Sequence, residues 1–130
     1  MMTIIDHLSL GVPSIEDAVA FYDNILAPLG ISRLATSAGF AAYGAGAVQF
    51  LVMTPADGGE AGVGNGCHLA FVASDPAAVD AFHAAALAAG GTDAGGPGPR
   101  PDYPKPGVYA AFVRDPFGNK LEAIAGGFAS

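Results

Sequence analysis

The sequence of 130 residues has the length of one domain, and its hydrophobic content of 52% is enough for a folded core. The net charge of −7 argues against nucleic acid and anionic membranes as partners, because both require clusters of Lys and Arg. No apolar run is long enough to span a membrane, and the N-terminal segment MMTIIDHLSLGV has the character of a strand, not of a secretion signal. A single cysteine, Cys67, is typical of a reducing compartment, so we expect a cytoplasmic protein.

The first element is a short strand that begins near His7, and its pattern recurs later in the chain. Residues from His7 onward align without a gap with residues from His68 onward, at an offset of 61 positions. Seven aligned pairs are identical: His7/His68, Leu8/Leu69, Ala20/Ala81, Phe21/Phe82, Leu26/Leu87, Ala27/Ala88 and Gly30/Gly91. The chain therefore consists of two related halves, each beginning with a strand.

A helix follows the strand in each half. Ser14 is the predicted N-cap of the first helix, while Asp75 caps the second and Pro76 takes its first position. Gly30 and Gly91 lie where a helix end favours positive φ. The predicted apolar stripes are Ile15, Ala18, Val19, Tyr22, Ile25, Leu26 and Leu29 in the first helix and Val79, Phe82, Ala86 and Leu87 in the second.

Short strands follow each helix, at about residues 39–43 and 48–53 in the first half and 108–114 and 120–125 in the second. A tight turn over residues 115–119 joins the last two strands. The predicted fold class is α+β, with two βαβββ modules that form one curved, cup-shaped mixed sheet backed by helices.

The predicted domain organisation is a single domain over residues 1–130. The two modules cover about residues 1–55 and 66–126, and a Gly-rich loop joins them. The Gly- and Pro-rich stretch over residues 90–107 is predicted to be a second loop.

Three side chains form a candidate metal site. His7 and His68 occupy equivalent strand positions, and strand alternation places them on the face opposite the leucines, together with Ser9 and other small residues. Glu122 projects from one face of the last strand. Two imidazoles and a carboxylate are ligands for Fe²⁺, Mn²⁺, Zn²⁺, Ni²⁺ or Co²⁺. Spacing alone leaves the alternative open, in which the histidines form ordinary hydrogen bonds and the glutamate is solvated.

A Pro-stiffened loop before the strand at 108–114 carries three polar side chains, Arg100, Tyr103 and Lys105. Such a loop could close over the site and bind an anionic substrate, although a solvated surface loop remains the alternative. Tyr109 and Phe112 lie on opposite faces of that strand, so at most one lines the cup.

His83 and Cys67 are weaker candidates for a functional role. His83 occupies the helix position that Tyr22 holds in the first half, and we expect it on the helix surface or in packing. Cys67 precedes His68 and therefore points to the opposite face, where we expect a buried thiol with no basic neighbour to activate it.

The segments DHLSLGV, AFYDNIL, GCHLAF and DPFGNKLEAI resemble the signature stretches of the vicinal oxygen chelate (VOC) superfamily. This superfamily includes glyoxalase I, bleomycin resistance proteins, fosfomycin resistance proteins and extradiol dioxygenases. The resemblance implies a glyoxalase-like fold, with His7, His68 and Glu122 as ligands of a divalent metal, and a homodimer. It also implies bidentate chelation of a small oxygenated substrate.

Glyoxalase I has a fourth ligand in the last strand of its first module, and here the register is ambiguous. Gln49 could take that position, or Phe50 or Leu51 could stand there instead. The function expected from the resemblance is that of a metal-dependent lyase, isomerase or transferase related to glyoxalase (lactoylglutathione lyase), with Glu122 as its catalytic residue. The alternatives are a thiol transferase acting on an epoxide and a drug-binding protein of the bleomycin-resistance type, which needs no catalysis.

Overall fold

The computed structural model describes residues 4–129. The first module contains β1 (Leu8–Gly11), α1 (Ile15–Leu26), β2 (Ser32–Thr36), β3 (Phe40–Gly44) and β4 (Phe50–Met53). The second contains β5 (Leu69–Val72), α2 (Pro76–Ala88), β6 (Thr92–Pro99), β7 (Tyr109–Arg114) and β8 (Lys120–Ala125). Within the described residues no helix is long and apolar enough to cross a membrane.

The two modules have the same topology, which confirms the predicted α+β class and the βαβββ repeat. The strand orders are β1-β4-β3-β2 and β5-β8-β7-β6. In each module the first strand pairs in parallel with the last, and the other pairs are antiparallel.

The prediction of one continuous sheet is wrong in detail, because the strands form two separate four-stranded sheets. Strands β1 and β5 are edge strands of different sheets. The modules meet through side chains instead: Phe50 lies edge-on to Phe71 with ring centroids 5.1 Å apart, and α1 packs against α2. One apolar core therefore spans both modules.

The helix ends follow the predicted capping chemistry. The Ser14 side chain accepts a hydrogen bond from the backbone N–H of Asp17, and the Asp75 side chain accepts one from Ala78 at 2.8 Å. Pro76 is the first residue of α2, as predicted. These caps satisfy backbone donors that a helix start leaves without partners.

Two strands escaped prediction. Strand β2 is exposed at all five positions, so it lacks the alternation of a half-buried strand. Strand β6 runs through the segment predicted to be a loop, with register shifts beside Gly95. It is the edge of its sheet, where proline is tolerated because one side of the strand needs no hydrogen-bond partner. The N-terminal strand begins later than predicted, at Leu8, and residues 1–3 of its predicted segment lie outside the described residues.

Three single-residue predictions are also wrong. Cys67 is exposed because it lies in a turn before β5 begins. Leu87 is 45% exposed because it lies one helical step beyond Ala86, at the edge of the buried stripe. Gly91 does not adopt positive φ, and the preceding Gly90 does so instead, with φ 101°. At Gly91 a Cβ would lie 2.8 Å from the Arg114 carbonyl oxygen, so close packing requires glycine there.

A buried polar cluster fastens the turn between β7 and β8 to the first module. The Tyr22 hydroxyl donates to Asp115 Oδ2 at 2.5 Å, and burial followed by the nearby Asp115 charge raises the pKa of Tyr22. Asn119 Nδ2 donates to Asp115 Oδ2 at 2.9 Å and to the Gly11 carbonyl at 3.1 Å. The hydrogen bonds hold β1 and α1 of the first module against the last hairpin of the second.

Candidate functional site

The second module carries an open cavity of about 520 Å³ on the sheet face that points away from α2. Its floor consists of side chains at alternating positions of two neighbouring strands: His68, Ala70 and Val72 at β5, and Glu122 and Ile124 in β8. Residues 102–104 and 127–129 form its walls. Small and branched apolar residues thus surround a few polar groups, as in many small-molecule sites.

A histidine–carboxylate pair lies on this floor. His68 Nε2 is 3.0 Å from Glu122 Oε1. Glu122 is only 2% exposed, whereas the His68 side chain is 43% exposed. The parallel register pairs Ala70 with Glu122, which brings the residue just before β5 to the carboxylate. The pair agrees with the alternation of faces predicted from the sequence.

Tyr103 reaches the same carboxylate from the loop between β6 and β7. Its hydroxyl donates to Glu122 Oε2 at 2.7 Å. Burial, followed by the hydrogen bond to Glu122, raises the pKa of Tyr103 to about 12. The phenol therefore stays protonated and able to donate near neutral pH.

The two cations predicted in this loop bind main-chain carbonyls. The Arg100 guanidinium donates to the Gly96 carbonyl at 2.7 Å, and Lys105 Nζ donates to the Gly127 carbonyl at 2.6 Å. Neither side chain lines the cavity. Lys105 thus holds one wall of the cavity, whereas Arg100 binds the backbone of β6. Contact of either cation with an anionic substrate stays a prediction.

Of Tyr109 and Phe112, Phe112 lies on the sheet face that carries Glu122. It pairs with Glu122 across β7 and β8, and its ring centroid is 5.8 Å from that of His68. Tyr109 lies on the opposite side, where its hydroxyl donates to Asp80 of α2 at 2.7 Å.

Sequence reasoning missed Lys120, which lies two positions before Glu122 on the same strand face. Its ammonium nitrogen is 5.1 Å from the Phe112 ring centroid. The Arg100 guanidinium carbon also contacts this ring, at 5.5 Å. Alternation from Glu122 was a usable signal for Lys120. Both cations therefore lie against the Phe112 ring, whose centroid is 5.8 Å from that of His68.

The structure does not bring His7 into this cluster. Its side chain is 57% exposed, and Nδ1 is 2.6 Å from Asp6 Oδ1. Among residues 4–129, no three His, Cys, Asp or Glu side chains are arranged to hold a metal ion. Ser9, also predicted on this face, lines a smaller groove of about 340 Å³ together with His68.

The strand register identifies the counterpart of Glu122 in the first module. Ser9 pairs with Leu51 between β1 and β4, and its repeat partner Ala70 pairs with Glu122 between β5 and β8. Leu51 therefore occupies the equivalent position, and Gln49 lies two residues earlier. A leucine side chain has no metal-ligating atom, so the position equivalent to Glu122 carries no ligand in the first module. Gln49 as a fourth ligand stays a prediction.

His83 lies away from the cavity and its side chain is only 13% exposed, so it packs on the helix rather than standing in solvent. Its Nε2 is 2.8 Å from Asp93 Oδ1, and this hydrogen bond is the main cause of the lowered pKa of Asp93.

Comparisons with known proteins agree with this architecture. The sequence profile of the Glyoxalase/Bleomycin resistance protein/Dioxygenase superfamily matches residues 4–123. A glyoxalase/bleomycin resistance protein from Albidiferax ferrireducens T118 is 38% identical, with a TM-score of 0.85 over 95% of this chain and 98% of that one. A search of curated proteins gives no match.

Two more distant structures share the fold alone. A glyoxalase-related enzyme from Fulvimarina pelagi has 19% identity and a TM-score of 0.72, covering 95% of this chain and 88% of its own. A lactoylglutathione lyase from Agrobacterium tumefaciens has 22% identity and a TM-score of 0.67, covering 96% and 95%. With the profile match and the 38% identical structure, the chain belongs to the glyoxalase/bleomycin resistance protein/dioxygenase superfamily.

Proposed function

We propose that the protein is a metal-dependent, glyoxalase-like enzyme that acts on a small oxygenated substrate in the cavity of the second module. His68, Glu122 and His7 are the proposed ligands of a divalent ion. The observation that carries the proposal is the buried Glu122 carboxylate, which faces His68 Nε2 at 3.0 Å on the floor of an open cavity.

The donor geometry of the pair fits a metal ion. Imidazole nitrogens and carboxylate oxygens bind such ions at about 2.0–2.2 Å, so two donors that share one ion would lie within about 4.4 Å of each other. The distance between His68 Nε2 and Glu122 Oε1 is 3.0 Å. Burying a carboxylate is costly unless positive charge or hydrogen bonds compensate, and a bound cation would supply that charge. Imidazole and carboxylate donors together suit Fe²⁺, Mn²⁺, Zn²⁺, Ni²⁺ or Co²⁺.

The third proposed ligand, His7, would come from a second copy of the chain. Within one chain its ring is directed to Asp6 and lies outside the cluster. The N-terminal segment that carries it exposes Ile4 at 89% and Ile5 at 62%, and the adjacent strand β1 is an edge strand of its sheet. Exposed apolar residues beside an edge strand favour association. A homodimer in which each copy lends its His7 to the other would complete both sites.

When bound, the metal supplies Lewis acidity and open positions for two substrate oxygens. The chain's own residues do the rest. Glu122 is the proposed catalytic residue because it holds the ion on which activity depends. Ala70, Val72 and Ile124 surround the polar centre with apolar surface that displaces water from a bound ligand. Ser9 is a proposed substrate contact, since its groove adjoins His68.

Within this class, thiol transfer to an epoxide is the second candidate. The observation that favours it is Leu51 at the position equivalent to Glu122, because the resulting three-ligand site matches the fosfomycin-resistance arrangement better than that of glyoxalase I. A hemithioacetal isomerisation assay and a thiol–epoxide addition assay on the metal-loaded protein separate the two reactions.

Metal content tests the proposal. Wild-type protein, His68→Ala and Glu122→Ala are purified in parallel, with His83→Ala as the matched histidine control. We expect about one ion per chain in wild type and His83→Ala, and little in the other two. Equal content in all four proteins would refute the metal site and favour the drug-binding alternative.

A further inference from the structure

We infer that Tyr103 is a positioning residue for the metal ligand Glu122, which it holds so that Oε1 alone faces His68 and the cavity. This inference rests on the proposed metal site. It concerns the loop between β6 and β7, which supplies no metal ligand in the proposed function.

The two oxygens of the carboxylate have different partners. Oε1 faces His68 Nε2 at 3.0 Å, and Oε2 accepts the Tyr103 hydroxyl at 2.7 Å. A hydrogen bond to a carboxylate is stronger than one between neutral groups, so it resists rotation of the side chain. With Oε2 occupied by the phenol, Glu122 offers one oxygen to an ion and leaves more coordination positions for substrate.

The phenol is itself held in place. Its ring stacks on Phe128, with centroids 6.4 Å apart and planes 13° from parallel, and packs against a small cluster of buried residues, Val108, Ala110 and Ile124. The backbone N–H of Tyr103 donates to the Arg100 carbonyl at 3.2 Å. A donor fixed by packing loses little entropy when it binds its acceptor, which is what a positioning role requires.

Both ends of the loop are also fastened to the fold. The backbone N–H of Arg100 donates to the Val108 carbonyl at 2.9 Å, and Lys105 Nζ donates to the Gly127 carbonyl at 2.6 Å. Three prolines in this segment, Pro101, Pro104 and Pro106, restrict the backbone further.

The first module supplies an internal comparison. There the equivalent of Glu122 is Leu51, which needs no hydrogen-bond donor, and β2 joins β3 through residues 37–39 alone. In the second module the corresponding connection spans residues 100–108 and delivers Tyr103. The longer connection thus occurs in the module whose last strand carries a carboxylate, and it supplies the hydroxyl that orients this carboxylate.

The test uses Co²⁺ as the probe, since its visible absorption reports the ligands. Tyr103→Phe keeps the ring stack on Phe128 and removes only the hydroxyl. Tyr109→Phe is the matched control, because its hydroxyl binds Asp80 on the opposite side of the sheet. Co²⁺ affinity is measured by chelator competition, and thermal unfolding confirms that each variant is folded.

We expect Tyr103→Phe to lower Co²⁺ affinity by about 10–100-fold and to change the absorption spectrum, as removal of outer partners of metal ligands generally does. Tyr109→Phe should match wild type in both. Co²⁺ affinity in Tyr103→Phe equal to that in Tyr109→Phe would overturn the inference while leaving the metal site intact. A wild-type protein that binds no Co²⁺ would overturn the proposed function, and the inference with it.

Discussion

The two modules share a topology but differ in chemistry. Each begins with a histidine before an edge strand that pairs in parallel with the last strand of its sheet. In the second module that last strand carries Glu122 over a cavity, whereas the first has Leu51 at the same register position. The repeat therefore provides two similar modules. The proposed metal centre lies in the second because that module has Glu122 where the first has Leu51.

The largest expected effect comes from altering this pair of positions. Glu122→Leu copies the first module into the second, and we expect it to abolish metal binding because one of three ligands is lost. Leu51→Ala should leave metal content unchanged. Metal analysis of both purified variants gives the answer, and retention of metal in Glu122→Leu would contradict the assignment.

Tyr22 and His83 occupy equivalent helix positions, but their hydrogen-bond partners differ in burial: Asp115 is 3% exposed and the Asp93 side chain 59%. Tyr22→Phe removes a buried hydrogen bond to Asp115, and we expect a loss of about 1.5–3 kcal/mol in unfolding free energy. His83→Asn breaks a contact whose carboxylate partner, Asp93, is exposed, and should cost less than about 1 kcal/mol. Urea unfolding of both variants measures the difference, and similar losses would show that the Tyr22 contact does not fasten the modules.

Gly30 and Gly91 occupy equivalent positions of the repeat, but glycine is required at each for a different reason. Gly30 has φ 75° and open space around it, so Gly30→Ala should cost about 1–2 kcal/mol of backbone strain. At Gly91 a Cβ would lie 2.8 Å from the Arg114 carbonyl oxygen and 3.0 Å from Phe21. We expect Gly91→Ala to cost about 1–3 kcal/mol of unfolding free energy through overpacking, with no backbone strain. Gly91→Ser should therefore destabilise the protein more than Gly91→Ala, because its side chain is larger. Gly30→Asn should destabilise it less than Gly30→Ala, since asparagine tolerates positive φ. Thermal unfolding distinguishes the two patterns.

The smallest expected effect is that of Tyr22 ionisation on the unfolding free energy, which is absent near neutral pH and develops only at alkaline pH. The pKa of Tyr22 in the folded protein is raised above its usual 10.0, so the unfolded chain releases this proton first. Its contribution to stability is complete below pH 10 and is lost as the pH rises further. We expect Tyr22→Phe to flatten the fall of unfolding free energy above pH 10 by up to about 1.4 kcal/mol per pH unit. An unchanged slope would show that Tyr22 ionises equally in both states.

Much of the fold was predictable because the repeat and the caps are local signals. Ser14, Asp75 and Pro76 mark helix starts through contacts within one turn. Strands β2 and β6 were missed because edge strands bury little and tolerate glycine and proline, which removes the alternation that reveals a strand.

The candidate site was only partly predictable, because some of its contacts join residues that are far apart in sequence. His68 and Glu122 follow from strand alternation, which is fixed by backbone geometry. The contact from Tyr103 to Glu122 depends on how a loop folds back onto a sheet, and the hydrogen bonds that determine this connect residues far apart in sequence. The register of Leu51 likewise required the observed strand pairing.

The central claim is a metal centre built from His68 and Glu122 of one chain and His7 of a second copy. Co-expression of His7→Ala and Glu122→Ala chains with different affinity tags tests it most directly, with metal analysis of the tandem-purified mixed dimer. One site of this dimer would contain both substitutions and the other none, so we predict about one ion per mixed dimer and little in either parent variant. A mixed dimer as empty of metal as its parents would contradict the shared site.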